Sequence, residues 1–377
     1  MIDRPFWILK IENAWKKRSI VWLSGVRRVG KTVISKMLPN ANYFNCDLPS
    51  VMHRLEDPEL FYQSFPNDSI IIFDEIHRIN DPSKLLKIAA DEFPQIKILA
   101  TGSSSLTATK KFRDSLTGRK INIYLPPVLW NECQNNFKIN NLDHRLLNGG
   151  LPELLLSKEK DSSFFAEWID SYYARDIQEL FNIRNRGGFL KLLKLLLIQS
   201  GNVLDYTYLS KLCGQSRPTV ITHVEAMRIA HCIFIVTPFF GGGSREIIRQ
   251  PKIYAFDTGF ITYSKGWNSI REDDRGILWE HLILDMLRTN ILENEIHYWR
   301  DKSGCEIDFI IVKDNNSVDT IECKINPKKY SIKNLSVFRK IYPFGRNFCL
   351  CPLINENYQL RYDNLIIEFQ SCYQVQQ

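Results

Sequence analysis

The sequence lacks the features of several protein classes. No apolar run is long enough to cross a bilayer, and the first residues, Met1 to Arg4, lack the layout of a secretory signal. The nine cysteines are scattered and odd in number, and Cys349 and Cys351 form a C-x-C without the second pair that a zinc site needs. We therefore expect a cytoplasmic protein with reduced thiols and no membrane partner.

Composition sets broad limits on what this chain forms. A length of 377 residues allows two or three domains with ample core. Because 44% of the residues are hydrophobic and 24% are charged, we expect a soluble globular protein rather than a disordered one. The formal net charge of +7 is compatible with a nucleic-acid partner but is too small to establish one.

The most informative stretch has the form G-x-x-x-x-G-K-T. An apolar strand (20–24) precedes it, and a helix is predicted to open at Lys31. Glycines at both ends let the backbone turn its N–H groups towards phosphate oxygens, and the helix N-terminus adds partial positive charge. Lys31 would reach the β- and γ-phosphates of ATP, and the Thr32 hydroxyl would hold Mg²⁺. The predicted nucleotide contacts are Gly25, Val26, Arg27, Arg28, Val29, Gly30, Lys31 and Thr32. The alternative is an ordinary glycine-rich turn.

Two carboxylates follow a second apolar run (69–73), which reads as a strand buried on both faces of a parallel sheet. Ligands of open α/β sheets lie at the carboxyl ends of the strands. Asp74 is predicted to hold the Mg²⁺ shell, directly or through water. Glu75 is predicted to orient and polarise the attacking water. The alternative is a pair of helix N-cap residues just past a strand.

A third apolar strand (96–100) ends in small polar residues. Ser103 and Ser104 are candidates for sensing the γ-phosphate, or they serve only as caps. Arg119, just before a further strand (121–125), is a candidate charge-stabilising arginine, and Arg113 is a second one. A solvated surface position for Arg119 remains the alternative.

The middle of the chain turns helical. Two short helices, 206–213 and 217–230, flank the turn 214–216 with helix-turn-helix spacing. Thr219, Thr222 and His223 are predicted on the exposed face of the second helix, and a following strand with a glycine hairpin would form a wing. Direct reading of DNA by this unit is one interpretation, and packing only against neighbouring elements is the other.

The last third carries a second group of charged residues. A helix (275–288) contains Glu280, a strand (306–312) contains Asp308, and after the turn 314–316 a return strand contains Glu322 and Lys324. Because side chains alternate along a strand, Glu322 and Lys324 share a face, so three carboxylates and a lysine can converge. Carboxylate oxygens suit Mg²⁺, and Asp308 and Glu322 are the predicted ligands. The lysine could hold a nucleophilic water or a scissile phosphate. The alternative is an exposed hairpin with its charges in solvent.

Together these motifs resemble bacterial and archaeal AAA+-like ATPases that carry a C-terminal domain similar to restriction endonucleases. The motifs are Gly25–Thr32, Phe73–Glu75, Thr101–Ser104, Ser115–Arg119, Gly149–Glu153, Tyr173–Asp176, Phe256–Gly259, Tyr298–Arg300, Glu306–Asp308 and Ile321–Lys324. The resemblance implies a PD-(D/E)xK site in which Asp308, Glu322 and Lys324 match the motif and Glu280 is the helix carboxylate. Ile307 stands where that motif has proline.

The predicted fold class is α/β, in three parts. We expect a P-loop parallel-sheet ATPase domain over 1–140, a helical and winged-helix region over 141–245, and a restriction-endonuclease-like domain over 246–377. The predicted function is ATP hydrolysis with Mg²⁺ by a protein that acts on or near DNA and forms a homo-oligomer. The alternative is an ATP-driven switch or interaction protein whose last domain binds DNA or protein without cutting.

Overall fold

The computed structural model describes residues 2–102, 116–241, 250–313 and 317–371. Several sequence predictions lie outside these ranges. They concern the candidate sensors Ser103 and Ser104, the second candidate arginine Arg113, most of the wing turn and the turn at 314–316.

Five short strands form a parallel sheet near the N-terminus, here called the N-terminal sheet, in the order β2-β3-β4-β1-β5. The strands are β1 Ile20–Ser24, β2 Ala41–Asn45, β3 Ile70–Asp74, β4 Lys97–Thr101 and β5 Lys120–Tyr124. All five residues of β1 are buried, as its uninterrupted apolar sequence predicts for a central strand covered on both faces. The carboxyl ends of β1, β3 and β4 therefore meet at one edge of the sheet.

Helices cover this sheet, and their starts follow local sequence signals. They are α1 Pro5–Trp15, α2 Lys31–Met37, α3 Pro49–Arg54, α4 Pro58–Gln63 and α5 Pro82–Glu92, with a 3₁₀ turn at Ile76–Arg78. Asp57 and Asp81 cap α4 and α5 by accepting backbone N–H groups, and a proline follows each cap at the first helical position.

A helical region connects the two sheets. Its helices are α6 Trp130–Asn135, α7 Leu142–Asn148, α8 Pro152–Leu156, α9 Ser162–Tyr172, α10 Arg186–Ile198, α11 Tyr206–Cys213 and α12 Arg217–Ile229. The helix predicted over 163–181 is α9 continued by a π-helical turn, Tyr173–Gln178, and a last α-turn, Glu179–Phe181. The pair α11 and α12 has the predicted spacing, with Gly214 in the left-handed conformation between them.

One prediction about α12 is wrong. Thr222 is exposed and Thr219 is half-buried, but His223 is only 5% exposed and its ring lies 5.5 Å from that of Phe189. The physical reason is the helical period. His223 falls on the stripe at spacings of three and four that also contains the buried Val220, Val224 and Met227, so it faces the core.

The rest of the chain builds an eight-stranded mixed sheet, here called the C-terminal sheet, in the order β12-β13-β11-β10-β9-β8-β6-β7. Its strands are β6 Ile233–Pro238, β7 Lys252–Ala255, β8 Ile296–Arg300, β9 Glu306–Val312, β10 Val318–Cys323, β11 Asn347–Leu350, β12 Tyr358–Tyr362 and β13 Leu365–Gln370. The accompanying helices are α13 Thr258–Ser264, α14 Glu272–Asn290 and α15 Ile332–Arg339.

This sheet crosses the predicted domain limit at residue 245. Strand β6 pairs antiparallel with β7 and, through Thr237 and Pro238, parallel with β8. The hairpin expected as a wing is therefore joined to the last domain by backbone hydrogen bonds. The predicted hairpin of β9 and β10 is present, with Phe309 opposite Ile321. Among the described helices, none has the length and hydropathy that crossing a bilayer requires.

Candidate functional site

The loop between β1 and α2 depends on its two glycines. Gly25 has φ +148°, and a Cβ there would lie 2.5 Å from the carbonyl oxygen of Leu125. Gly30 has φ +104° and is the residue from which α2 begins. An L side chain at either position would be strained, so the sequence G-x-x-x-x-G is what allows this loop to form.

Lys31, the first residue of α2, turns back over the loop. Its Nζ donates hydrogen bonds to the carbonyl oxygens of Gly25 at 2.8 Å and Val26 at 3.0 Å. Burial lowers the pKa of the Lys31 ammonium, against the opposing negative charge of Glu75. The side chains of Val26 and Val29 are buried in the core, so within the loop these residues offer a ligand their backbone groups.

Three hydroxyl groups converge on Asp74 at the end of β3. Its Oδ2 accepts hydrogen bonds from Thr32 Oγ1 at 2.8 Å and from the Tyr43 hydroxyl at 2.6 Å, and its Oδ1 accepts from Thr101 Oγ1. Thr32 and Asp74, the two residues predicted to hold Mg²⁺ at the P-loop, are thus in direct contact. Hydroxyl and carboxylate oxygens are ligands that Mg²⁺ takes, so this donor set fits the ion.

Glu75 is held by its backbone. It has φ +56° and ψ +42°, a left-handed conformation that is unfavourable for a residue with a Cβ, and its N–H donates to Thr101 Oγ1 at 3.2 Å. The carboxylate is about one-third exposed at 32%, and its Oε2 lies 3.2 Å from His77 Nδ1. Burial lowers the pKa of His77, against the charge of Glu75.

A cavity of about 720 Å³ lies over this loop, with Gly25, Gly30, Lys31, Thr32 and Glu75 on one side. The helical region supplies the opposite side through Pro152, Glu153, Ser171, Arg175, Asp176 and Glu179. The cavity is therefore built jointly by the N-terminal sheet and the helical region, which analysis of the loop alone does not indicate.

Specific contacts fix the helical region on the loop. The indole N–H of Trp168 donates to the carbonyl oxygen of Arg27 at 3.1 Å, and Arg27 Nε lies 3.5 Å from Asp176 Oδ2 in the π-helical turn. The Arg28 guanidinium stacks over the Phe164 ring at 4.8 Å. The predicted loop residues Arg27 and Arg28 thus contact the helical region as well as lining the cavity.

The N-terminus also contacts the loop. Arg4, which is 2% exposed, donates to the carbonyl oxygen of Val29 at 3.2 Å and to both Glu132 carboxylate oxygens at 2.8 and 2.7 Å. Glu132 accepts a further hydrogen bond from Trp7 Nε1 at 3.0 Å. Sequence reasoning did not find this buried pair, because the two residues are 128 positions apart.

Arg119 lies elsewhere. Its guanidinium forms a two-point ion pair with Asp91 of α5, with Nε–Oδ1 at 2.6 Å and NH2–Oδ2 at 3.1 Å. Arg119 is not among the described residues that line the cavity. The structure therefore does not support a contact between Arg119 and a nucleotide of its own chain, and action on a neighbouring subunit stays a prediction.

The second predicted group comes together on the C-terminal sheet. Lys324 Nζ donates to Glu322 Oε2 at 2.8 Å and lies 3.8 Å from Asp308 Oδ2, which also accepts the Cys323 N–H at 2.7 Å. Glu280 of α14 and Glu322 are 7% and 5% exposed. Of the hairpin charges, Glu322 is therefore not in solvent, where the alternative of an exposed hairpin would place it.

Burial and repulsion between neighbouring carboxylates raise the pKa values of the glutamates in this cluster. Burial, followed by the negative charge of Asp308, raises the pKa of Glu280 to about 7 and that of Glu322 to about 8. The same two carboxylates, Asp308 and Glu322, raise the pKa of Lys324 against the effect of its burial. Burial and the crowding of carboxylates thus both favour the protonated forms of the two glutamates.

Sequence reasoning missed three members of this cluster, Lys252, Tyr254 and Glu306. The Tyr254 hydroxyl donates to Glu280 Oε1, and Lys252 Nζ lies 3.5 Å from the same oxygen and bonds to Glu306. Lys252 and Tyr254 belong to β7, which long-range pairing brings here. The carboxylates offer the chemistry that Mg²⁺ prefers, yet within the described parts of the chain no three His, Cys, Asp or Glu side chains form a ready metal-binding group.

Family models match three successive stretches of the chain. Residues 17–134 match a model described as an AAA domain. Residues 139–271 and 275–371 match two domains of unknown function, DUF8612 and DUF4143. The N-terminal part thus resembles an AAA-like ATPase domain, with its P-loop on a parallel sheet. The match to the last domain names no nuclease, so that class remains a prediction.

Similar proteins come from bacteria and archaea. The uncharacterized protein Rv2008c of Mycobacterium tuberculosis is 24% identical over 323 residues, which cover 82% of this chain and 71% of that protein. The uncharacterized protein MJ1544 of Methanocaldococcus jannaschii is 24% identical over 359 residues, covering 86% and 78%. Among solved structures, the Walker-type ATPase PABY2304 of Pyrococcus abyssi gives a TM-score of 0.44 at 15% identity, covering 70% of this chain and 96% of that one. A variant of RuvB from Thermotoga maritima gives 0.32 at 15% identity, covering 63% and 90%.

Proposed function

We propose that the cavity over the P-loop binds ATP with Mg²⁺ and hydrolyses it, using Lys31, Thr32, Asp74 and Glu75. The observation that carries this proposal is the hydrogen bond between Thr32 Oγ1 and Asp74 Oδ2, at 2.8 Å. It brings the Thr32 hydroxyl, in the first turn of α2, together with the carboxylate that ends β3, beside Lys31. Mg²⁺ bound there supplies positive charge opposite the β- and γ-phosphates.

Each residue has a separate task in this proposal. The Lys31 ammonium donates to two loop carbonyls in this structure, and it would turn to the phosphates of a nucleotide bound in the loop. Thr32 and Asp74 would hold the ion. Glu75, which lines the cavity, accepts a hydrogen bond from the attacking water and orients it. His77, beside Glu75, limits the directions in which that carboxylate can point.

The test is steady-state ATP hydrolysis by the full-length protein in the presence of Mg²⁺. Lys31→Ala should abolish nucleotide binding or hydrolysis, because it removes the charge opposite the phosphates. Lys84→Ala removes an exposed lysine of α5 and is the matched control, with turnover expected at the wild-type rate. Wild-type turnover by Lys31→Ala would rule out this site as the source of the activity.

We further propose that the C-terminal domain acts on DNA, as a metal-dependent nuclease that breaks a phosphodiester bond. The convergence of Asp308, Glu322 and Lys324 supports this second proposal. In it, Asp308 and Glu322 would hold the metal and Glu280 would be the helix carboxylate, although the three do not form a ready metal-binding group in this structure. Lys324 would place its charge beside the scissile phosphate or its attacking water.

A specific observation favours the alternative, an ATP-driven switch whose last domain binds DNA or protein without cutting. Lys252 Nζ lies 3.5 Å from Glu280 Oε1 and also bonds to Glu306, so an ammonium already neutralises that side of the cluster. A protein that uses this lysine in place of a metal would bind its partner without hydrolysis.

A cleavage assay separates the two proposals. The full-length protein is incubated with linear and supercoiled DNA, with Mg²⁺ or Mn²⁺, in the presence and absence of ATP. The nuclease proposal expects cleavage that is lost in Asp308→Asn and retained in Asp363→Asn, an exposed control on the β12–β13 turn. Binding of DNA without cleavage under every metal condition supports the switch and contradicts the nuclease.

A further inference from the structure

One long edge of the C-terminal sheet lies open. All five residues of β12, Tyr358–Tyr362, are exposed, and in the described part of the chain β13 is the sole strand paired with it. Three of its side chains are large and apolar: Tyr358, Leu360 and Tyr362 are 38%, 40% and 37% exposed. An apolar edge strand of this kind presents unpaired backbone N–H and C=O groups to any second strand.

The opposite edge of the same sheet is closed. Strand β7 is fully buried, and residues 201–204 run along its outer side. There the Gly201 N–H donates to the Ile253 carbonyl oxygen at 2.6 Å, and the Ile253 N–H donates to the Asn202 carbonyl oxygen at 3.0 Å. The chain therefore protects one edge with its own backbone. Strand β12 receives no such cover from the described residues.

The apolar and polar side chains of β12 lie on opposite faces of the sheet. Tyr358, Leu360 and Tyr362 project to one side, where Tyr358 stacks on Phe369 of β13 at 4.8 Å and 3°. The other side carries Gln359 and Arg361. This alternation is what a strand paired on both edges requires, because each face then continues into the neighbouring strand.

The sequence of β12 is also self-complementary. When two copies run antiparallel about Leu360, Tyr358 of one copy faces Tyr362 of the other, and Leu360 faces Leu360. Gln359 then faces Arg361, so the two arginines never oppose one another and no like charges meet. The order Tyr-Gln-Leu-Arg-Tyr reads the same in chemical character from either end. A two-fold interface brings one surface against a second copy of itself, so that surface must be complementary to itself, and this pairing of β12 meets that condition.

We propose that β12 pairs antiparallel with β12 of a second copy of this chain, centred on Leu360. The two C-terminal sheets then join into one continuous sheet across a two-fold axis. A five-residue pairing with its flanking apolar side chains is a small interface, so the dimer should be weak and reversible.

The test is sedimentation velocity of the full-length protein across about a hundredfold range of concentration, which brackets a weak interface. The wild type should pass from monomer to dimer. Leu360→Lys places two ammonium groups face to face at the axis and should raise the dimer dissociation constant at least about tenfold. The control, Leu60→Lys, changes another exposed leucine, on α4 and outside the sheet, and should leave the dissociation constant unchanged.

Changing the charges at positions 359 and 361 tests the register in which the two β12 strands pair. Gln359→Arg alone sets arginine against Arg361 of the other copy and should weaken the dimer. Adding Arg361→Glu to that variant creates two opposite-charge pairs and should restore it. Circular dichroism and ATP turnover confirm that each variant is folded. A monomer at every concentration, or a dimer that Leu360→Lys weakens no more than Leu60→Lys does, overturns the proposal. So does a failure of the double variant to recover.

Discussion

Replacing Thr101 with valine should remove the hydroxyl that connects the Asp74 carboxylate to the Glu75 backbone. Thr101 is fully buried, and valine has nearly the same shape, so the change is confined to two hydrogen bonds. The hydroxyl donates to Asp74 Oδ1 and accepts the Glu75 N–H at 3.2 Å. A hydrogen bond to a charged group contributes about 1.5–3 kcal/mol and a neutral one about 1 kcal/mol, so the variant should lose about 3 kcal/mol.

The assay is urea unfolding of the full-length protein, with ATP turnover measured on the same samples. Thr320→Val is the matched control. Thr320 is also buried in a sheet, but its hydroxyl donates to the neutral Asn347 side chain at 3.1 Å, so this variant should lose about 1 kcal/mol and keep full turnover. Equal losses in the two variants, or wild-type turnover in Thr101→Val, would show that Thr101 does not organise Asp74 and Glu75.

Three further predictions concern other parts of the molecule. Tyr43→Phe removes one donor to Asp74 and should weaken Mg²⁺-dependent ATP binding, measured by calorimetry, while Tyr358→Phe at the sheet edge leaves it unchanged. Burial lowers the pKa of His281 to about 4, from 6.5 in the unfolded chain, so the unfolded state binds the extra proton first. Stability should therefore fall as pH drops from about 6.5 to about 4, by about 3 kcal/mol in total, and His281→Gln should flatten that part of the profile. If Arg119 acts on a neighbouring subunit, ATP turnover should rise faster than linearly with protein concentration, and strict proportionality through the monomer-to-oligomer range would argue against it.

Local signals made the P-loop site predictable from sequence. The first strand, the glycine loop, Lys31 and Thr32 follow one another directly in the sequence. Asp74 ends an uninterrupted apolar run, which is typical of a strand buried on both faces of a parallel sheet. The carboxyl ends of such strands share one edge, so the meeting of Thr32 with Asp74 could be expected. A different argument, the alternation of side chains along the strands of an antiparallel hairpin, brought Asp308, Glu322 and Lys324 together.

The remaining features depend on contacts that sequence spacing does not encode. Tyr43 and Thr101 reach Asp74 only because β2 and β4 are the neighbours of β3, an order that a sequence does not give. Lys252 joins the second cluster through β7, far from β9 along the chain. The burial of His223, in contrast, could have been predicted from sequence, because its spacing from the apolar residues of α12 places it on the face that packs against the core.

The central claim is that Glu75 orients the water that attacks ATP while Lys31, Thr32 and Asp74 hold the nucleotide. Single-turnover hydrolysis by Glu75→Gln, with ATP affinity measured on the same protein, tests it most directly. We expect near wild-type affinity and hydrolysis slowed by about a hundredfold or more, because the amide cannot act as a base. Glu92→Gln, on the exposed end of α5, should behave as wild type. Wild-type hydrolysis by Glu75→Gln would contradict the account.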